Sequence, residues 1–177
     1  MRVLVIWGLL HSFLIGEMIK MNYVIRKAEI KDSKIANNFL TKLIQDEKKY
    51  DNNINENCVV HTLYENFIEN EQNCILIAEN NEKIIGYLYG FVQNGGDAYI
   101  DIVTQLDAMF VDEDYRKLGV GNALIDEFKK WSKQQSAKYI ELKVCNNNDN
   151  AISLYKKNGF KNVKTIMSLE LENDRNK

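Results

Sequence analysis

Asp112-Glu113-Asp114-Tyr115-Arg116-Lys117-Leu118-Gly119-Val120-Gly121-Asn122 is the stretch on which the architecture turns. It follows an apolar run ending Ala108-Met109-Phe110-Val111, and it leads into apolar residues at helical spacing: Val120, Ala123, Leu124, Phe128 and Trp131. The order is therefore strand, turn, glycine-spaced loop, helix. The first N–H groups of a helix have no intrahelical partner, and the helix dipole puts partial positive charge at the same end. Such an end is a ready anion site, most often for phosphate. Gly119 and Gly121 let a ligand approach the backbone with no Cβ in the way.

Working outward, Tyr23–Ala28 alternates like a strand, and Asp32 can cap a helix bearing Ile35, Ala36, Phe39, Leu40, Leu43 and Ile44. Polar residues 48–57 read as a loop, and His61–Ile68 as a second short helix. Cys74–Ala78 and Lys83–Val92 flank Asn80-Asn81, which reads as a hairpin because asparagine tolerates the positive φ of tight turns. Ala98–Val111 exceeds the usual strand of about five or six residues, so a bulge or bend is expected near Val103–Gln105. After the glycine loop come a helix from Leu118 to near Gln135, a strand Tyr139–Val144, a helix Asn148–Lys157 ended by Asn158-Gly159, and strand-like segments over Phe160–Leu171. The sum is one α/β domain over residues 21–177 with a mixed, largely antiparallel sheet.

The chain has 177 residues, enough for one domain with a sizeable core. A net charge of −2 gives no electrostatic footprint for nucleic acid. Cys58, Cys74 and Cys145 are scattered and in no CxxC spacing, the pattern of reduced thiols in a cytoplasmic protein. With only His11 and His61 and no cysteine cluster, a metal site is not expected. Residues 1–20 differ from the rest, because Val3–Ile15 is almost continuously apolar. Three readings are open there: an untranslated stretch ahead of a true start at Met21, a docked segment, or a signal-like sequence. The run is shorter than the ~20 residues that span a bilayer, and no small-residue cleavage site follows it.

A second motif is Asn148-Asp149-Asn150-Ala151-Ile152-Ser153-Leu154-Tyr155-Lys156-Lys157-Asn158-Gly159-Phe160. Taken alone it is an amphipathic helix with a glycine stop. Arg116-x-x-Gly119-x-Gly121, followed at this distance by Asn148-x-x-Ala151-x-x-Leu154-Tyr155 and Gly159-Phe160, resembles the GNAT superfamily of acetyl-CoA-dependent N-acetyltransferases. The resemblance covers everything from Tyr23 onward. It implies a twisted sheet flanked by about four helices, with a splayed strand pair holding acetyl-CoA as co-substrate.

By the same resemblance, Lys117, Leu118, Gly119, Val120, Gly121 and Asn122 would hold the coenzyme pyrophosphate through backbone N–H groups, with charge added by Arg116 and Lys117. Met109, Phe110 and Val111 would offer strand-edge groups to the pantetheine arm, on a strand splayed from the one holding Val144. Asn148 resembles the coenzyme-binding asparagine, and Tyr155 the tyrosine that protonates the departing thiolate. A neutral amine would attack the thioester directly, so no nucleophilic Ser or Cys is needed. Proline, usual in the Val111–Tyr115 turn, is replaced by Glu113. Asp107, read as sharing a strand face with Gln105, Met109 and Val111, is the first candidate for the general base, with a water chain and no single base as the alternative. An unknown small-molecule or peptide amine is the implied acceptor, received by a region including Asp46, Glu47, Tyr50, Asp51, Glu56, Tyr64 and Glu65. A rival reading is an acyl-CoA-binding sensor or interaction module that transfers nothing. A homodimer is an open expectation, and a membrane partner is not expected.

Overall fold

The structure is a computed structural model that describes residues 22–171; the readings of residues 1–20 lie outside them. Strands β1 (Val24–Lys27), β2 (Asn73–Asn80), β3 (Lys83–Gln93), β4 (Val103–Val111) and β5 (Tyr139–Leu142) form one sheet in that spatial order. The first three pairings are antiparallel, and β4 with β5 is parallel. The helices are α1 (Ser33–Glu47), α2 (Val120–Gln134) and α3 (Asp149–Lys157). The expected helix over His61–Ile68 is only a 3-10 turn at Tyr64–Asn66, so three α-helices rather than four stand among the described residues. Packing decides this. Asn37, buried in α1, accepts from the Tyr64 N–H and donates to Glu65 and the His61 carbonyl, and these bonds hold the segment as a loop.

The apolar run at Cys74–Ala78 is continuous because both faces of the sheet are covered. Cys74, Leu76 and Ala78 face α2, where they meet Val120, Leu124, Ile125, Phe128 and Trp131. Ile75 and Ile77 face α1, with Ala36, Phe39, Tyr64, Tyr87, Tyr89 and Phe110. Leu154, Tyr155 and Phe160 bring α3 against the α2 layer. In the β2–β3 hairpin, Asn81 and Glu82 take φ of 47° and 65°, the left-handed pair that a two-residue turn demands.

Asp32 ends a 3-10 turn at the start of α1, but its carboxylate does not cap that helix. It accepts from the Glu29 N–H at 2.8 Å and from the Arg26 guanidinium at 2.6 and 3.1 Å. The Arg26 cation holds this buried carboxyl below the usual range.

Two expectations change in the second half. The β4 irregularity lies at Asp107, not at Val103–Gln105: Tyr89 pairs with Ala108 and Gly90 with Leu106, leaving Asp107 as the extra residue of a bulge. A single extra residue shifts the alternation between the two faces. Gln105 is opposite Phe91 on the α1 side while Met109 packs with the α2 layer, so the shared face read from the sequence does not exist. Residues 161–171 carry strand-like alternation but form no strand, because a strand needs a neighbour and none pairs with them here.

Candidate active site

The β4–β5 ladder runs from Val103↔Tyr139 to Leu106↔Leu142 and stops. β4 continues through the Asp107 bulge to Val111, while no described residue after Leu142 pairs with it before α3 begins. A slot therefore opens along one edge of β4. The Asp112 N–H donates to the Ile85 carbonyl at 2.9 Å, so by antiparallel alternation Phe110 bonds toward β3, and Met109 and Val111 turn their N–H and C=O groups to the slot. Phe110, expected to offer edge groups, instead gives its ring to the α1 side, stacked on Phe39 at 5.2 Å.

The glycine loop lies at the end of this edge. Lys117 has φ of 63° and Gly119, the residue before α2, has φ of 88°. Two left-handed residues so close together curl the backbone so that successive N–H groups point inward, a nest suited to an anion. Among the described residues, no backbone N–H from Leu118 to Asn122 donates to a protein acceptor; the first bond of the helix is Ala123 N–H to Gly119 O. Gly121 faces Leu154, whose Cδ2 would sit 3.3 Å from an added Cβ, so this glycine lets α3 close against α2.

Arg116 takes a different place from the one its charge implied. Its Nε donates to the Val111 carbonyl at 2.9 Å, its guanidinium reaches Asp46 and Glu113 at 3.4 Å each, and it lies over the Phe110 ring. It ties the loop to β4 and α1 and is already balanced by two carboxylates. Leu118 is half exposed and Lys117 is exposed, at the mouth of the loop.

Across the slot, the Asn148 side-chain oxygen caps α3 by accepting from the Ala151 N–H at 3.2 Å, and its Nδ2 donates to no described residue. Tyr155 packs edge-on against Phe160, and its hydroxyl is likewise without a hydrogen bond among the described residues. Burial pushes this phenol up to about 12, and the nearby Glu47 carboxylate adds to the effect. Asn158, read from the sequence only as a helix end, joins the two motifs: its Nδ2 donates to Asn122 Oδ1 at 2.8 Å and to the Leu154 carbonyl. No local pattern marks a bond between residues so far apart in sequence.

Asp107 sits where the slot meets the end of α1. It is an exposed residue of the bulge, with its carboxyl partly desolvated. This partial burial raises its pKa above the usual carboxylate range, and Lys143 opposes the shift. Glu47 is raised as well, first by burial and then by Asp107 and Asp51. The Cys145 thiol is raised too, first by burial and then by Glu47 and Asp51, and Glu47 also acts on Tyr155. The site therefore offers anion-binding N–H groups at one end, open strand-edge groups along its length, and a protonated phenol beside carboxylates at the other. Among the described residues, no group of three or more metal-ligating side chains accompanies them.

Residues 40–160 match the Acetyltransferase (GNAT) family. The chain belongs to that family. Among relatives, an N-alpha-acetyltransferase of Sulfurisphaera tokodaii is 33% identical over 96 residues, covering 51% of this chain and 58% of that protein. An uncharacterized N-acetyltransferase of Bacillus subtilis, YhfO, is 35% identical over 95 residues, covering 52% and 62%. The chain thus spans less than two-thirds of the length of these relatives. The fold matches a variant of the BH1408 protein of Bacillus halodurans, with TM-score 0.74, 22% identity and coverage of 84% of this chain and 99% of that one. It also matches an aminoglycoside N-acetyltransferase crystallised with CoA, with TM-score 0.62, 16% identity and coverage of 84% and 99%. The GNAT fold read from the two motifs is therefore the observed one, with a mostly antiparallel sheet.

Proposed function

We propose that this GNAT protein transfers an acetyl group from acetyl-CoA to a primary amine, by direct attack within a ternary complex. One observation carries the reading: among the described residues, β4 keeps an open strand edge, the N–H groups at the head of α2 have no acceptor, and the Tyr155 hydroxyl has no partner. A pyrophosphate fits the N–H groups of Leu118–Asn122. An amide-bearing pantetheine arm fits the edge groups of Met109 and the Val111 N–H like an added strand. Asn148 Nδ2 adds a donor from the opposite wall.

The protein's own chemical contribution is the placement of protons. The Tyr155 hydroxyl stays protonated throughout the physiological range, so it can deliver a proton to the thiolate leaving the thioester. Asp107 accepts a proton from the acceptor ammonium, directly or through a water; its raised pKa brings it nearer to neutrality and makes it a better base than an ordinary aspartate. Glu47 and Asp51 draw a cationic acceptor to that end of the slot. The relatives' names include both an N-alpha-acetyltransferase and an aminoglycoside N-acetyltransferase, so the acceptor is a peptide amine or a small-molecule amine.

Calorimetry with acetyl-CoA, followed by thiol-release assays on a panel of peptide and small-molecule amines, tests the reading. Saturable binding with release of one thiol per acetylated amine is expected. Tight binding with no turnover on any amine would replace the enzyme with an acyl-CoA sensor.

A further inference from the structure

The last rung of the β4–β5 ladder is Leu106↔Leu142, so the next residues, Asp107 and Lys143, face each other where the slot closes. Ile140 and Leu142 pack with the α2 layer, and alternation sends Lys143 to the α1 side of the sheet. Asp107 is on that side too: its charge reaches Tyr64, Tyr87 and Tyr89, which belong to the α1-side core, and the Lys143 cation in turn acts on Asp107.

Lys143 is exposed, and among the described residues its ammonium enters no ion pair or hydrogen bond. Other lysines around β5 are tied to carboxylates: Lys138 to Asp101 at 2.9 Å and Lys164 to Glu141 at 2.8 Å. The direction of the slot decides what meets the free amine. An acyl-CoA held by its pyrophosphate at the head of α2 enters the edge at Val111 and runs back past Met109. Its thioester then arrives at the closed end, between Asp107 and Lys143.

We propose that Lys143 is a modification site, a primary amine that this protein acetylates on itself when no other acceptor fills the slot. The inference rests on the acetyl-CoA reading of the slot given above. The Lys143 ammonium gives a proton to Asp107 or to water, and the neutral Nζ attacks the thioester carbonyl carbon. An N–C bond forms, the C–S bond breaks, and the departing thiolate takes a proton from Tyr155. The products are an acetylated lysine and free coenzyme A, with nothing oxidised or reduced. Acetylation leaves a neutral amide, so the cation that opposes the rise of the Asp107 pKa is lost. Amine and thioester are held in one complex, so the rate is set within each molecule and not by encounters between molecules.

The full chain incubated with acetyl-CoA and no amine should gain the mass of one acetyl group and release one thiol, and peptide mapping should place the group on Lys143. The fraction modified at a given time should be unchanged by dilution of the protein at fixed, saturating acetyl-CoA. Lys143→Arg keeps a cation facing Asp107 but has no primary amine; it should gain nothing, while near-UV circular dichroism shows it folded and calorimetry shows it binding acetyl-CoA. Modification of Lys143 with no turnover on any external amine upholds the inference and refutes transfer to an outside acceptor. An unmodified Lys143 in a protein that acetylates external amines overturns the inference and leaves the transferase reading standing. Acetyl groups scattered over many lysines, and gained as fast by the urea-unfolded chain, overturn it too. A protein that neither modifies Lys143 nor releases thiol with any amine refutes both.

Discussion

Tyr155 is the residue on which the proposed reaction depends most. In the proposed reaction its hydroxyl would be the acid, and its aromatic ring belongs to the packing of α3 against Phe160, so Tyr155→Phe removes one oxygen and keeps the fold. Turnover should fall about 10²-fold or more, with little change in acetyl-CoA affinity by calorimetry. Unchanged turnover on a good amine would take Tyr155 out of the acid role. The pH profile follows from the same site. A base acts when deprotonated, so kcat/KM should rise with pH through the elevated pKa of Asp107, with no falling limb from Tyr155 until near its value of about 12. Asp107→Asn should flatten the rising limb; a limb that persists unchanged would assign it to another group, with Glu47 next in line.

A second pair of residues matters for stability. Arg26 and Asp32 join β1 to the start of α1, with Asp32 only 3% exposed. Arg26→Ala leaves that carboxylate without its cation and should cost about 2 kcal/mol near neutral pH by urea unfolding. The Asp32 pKa is depressed in the folded state, so its contribution is present above the unfolded value of about 4 and is lost as pH falls through the folded value. Wild type and variant should therefore converge in stability in acid. A gap that stays constant down to the lowest pH at which both fold would rule out the ion pair as its source.

At the scale of elements, turn chemistry and packing make opposite demands on the sequence. The hairpin turn was readable because Asn81 tolerates positive φ, yet its partner at φ of 65° is Glu82, a residue that pays for the conformation. Glu82→Gly should raise stability by about 0.5 kcal/mol in thermal or urea unfolding. Gly119, at φ of 88° ahead of α2, is the reverse case. Gly119→Val should abolish acetyl-CoA binding by calorimetry, by straining the loop and by placing a branched side chain where the pyrophosphate fits. Wild-type affinity in a folded Gly119→Val protein would refute the loop as the phosphate site. The elements themselves were legible wherever period and punctuation agreed. α2 and α3 carry helical spacing with Gly119 before one and Gly159 after the other, and the hairpin carries alternation around two turn residues. Where tertiary bonds decide, local pattern failed. Asn37 holds His61–Asn66 out of a helix, and the placement of the β4 bulge depends on its register with β3.

Over the whole molecule, the two sequence motifs were sufficient for family and fold, because a glycine loop opening one helix and an Asn-capped second helix follow each other in a fixed order and spacing. They did not reveal how the loops are joined. Asn158 bonding Asn122, Arg116 folded back on Val111, and Glu47 brought beside Tyr155 are products of the assembled sheet, and no sequence spacing encodes them. Segment 161–171 was misread for a related reason: its spacing is strand-like, but a strand needs a second run of backbone to pair with, and none of the described residues supplies it.

Arg116 has one more consequence. An open strand edge inside a protein invites any passing extended chain to add itself there. With its Nε already on the Val111 carbonyl, Arg116 removes one acceptor from that edge and sets a bulky guanidinium at its far end, beside Phe110. The edge left to an added chain is therefore shortened to the groups of Met109 and the Val111 N–H. The residue first read as extra charge for a phosphate thus occupies an acceptor at the end of the open edge and leaves that edge one rung shorter.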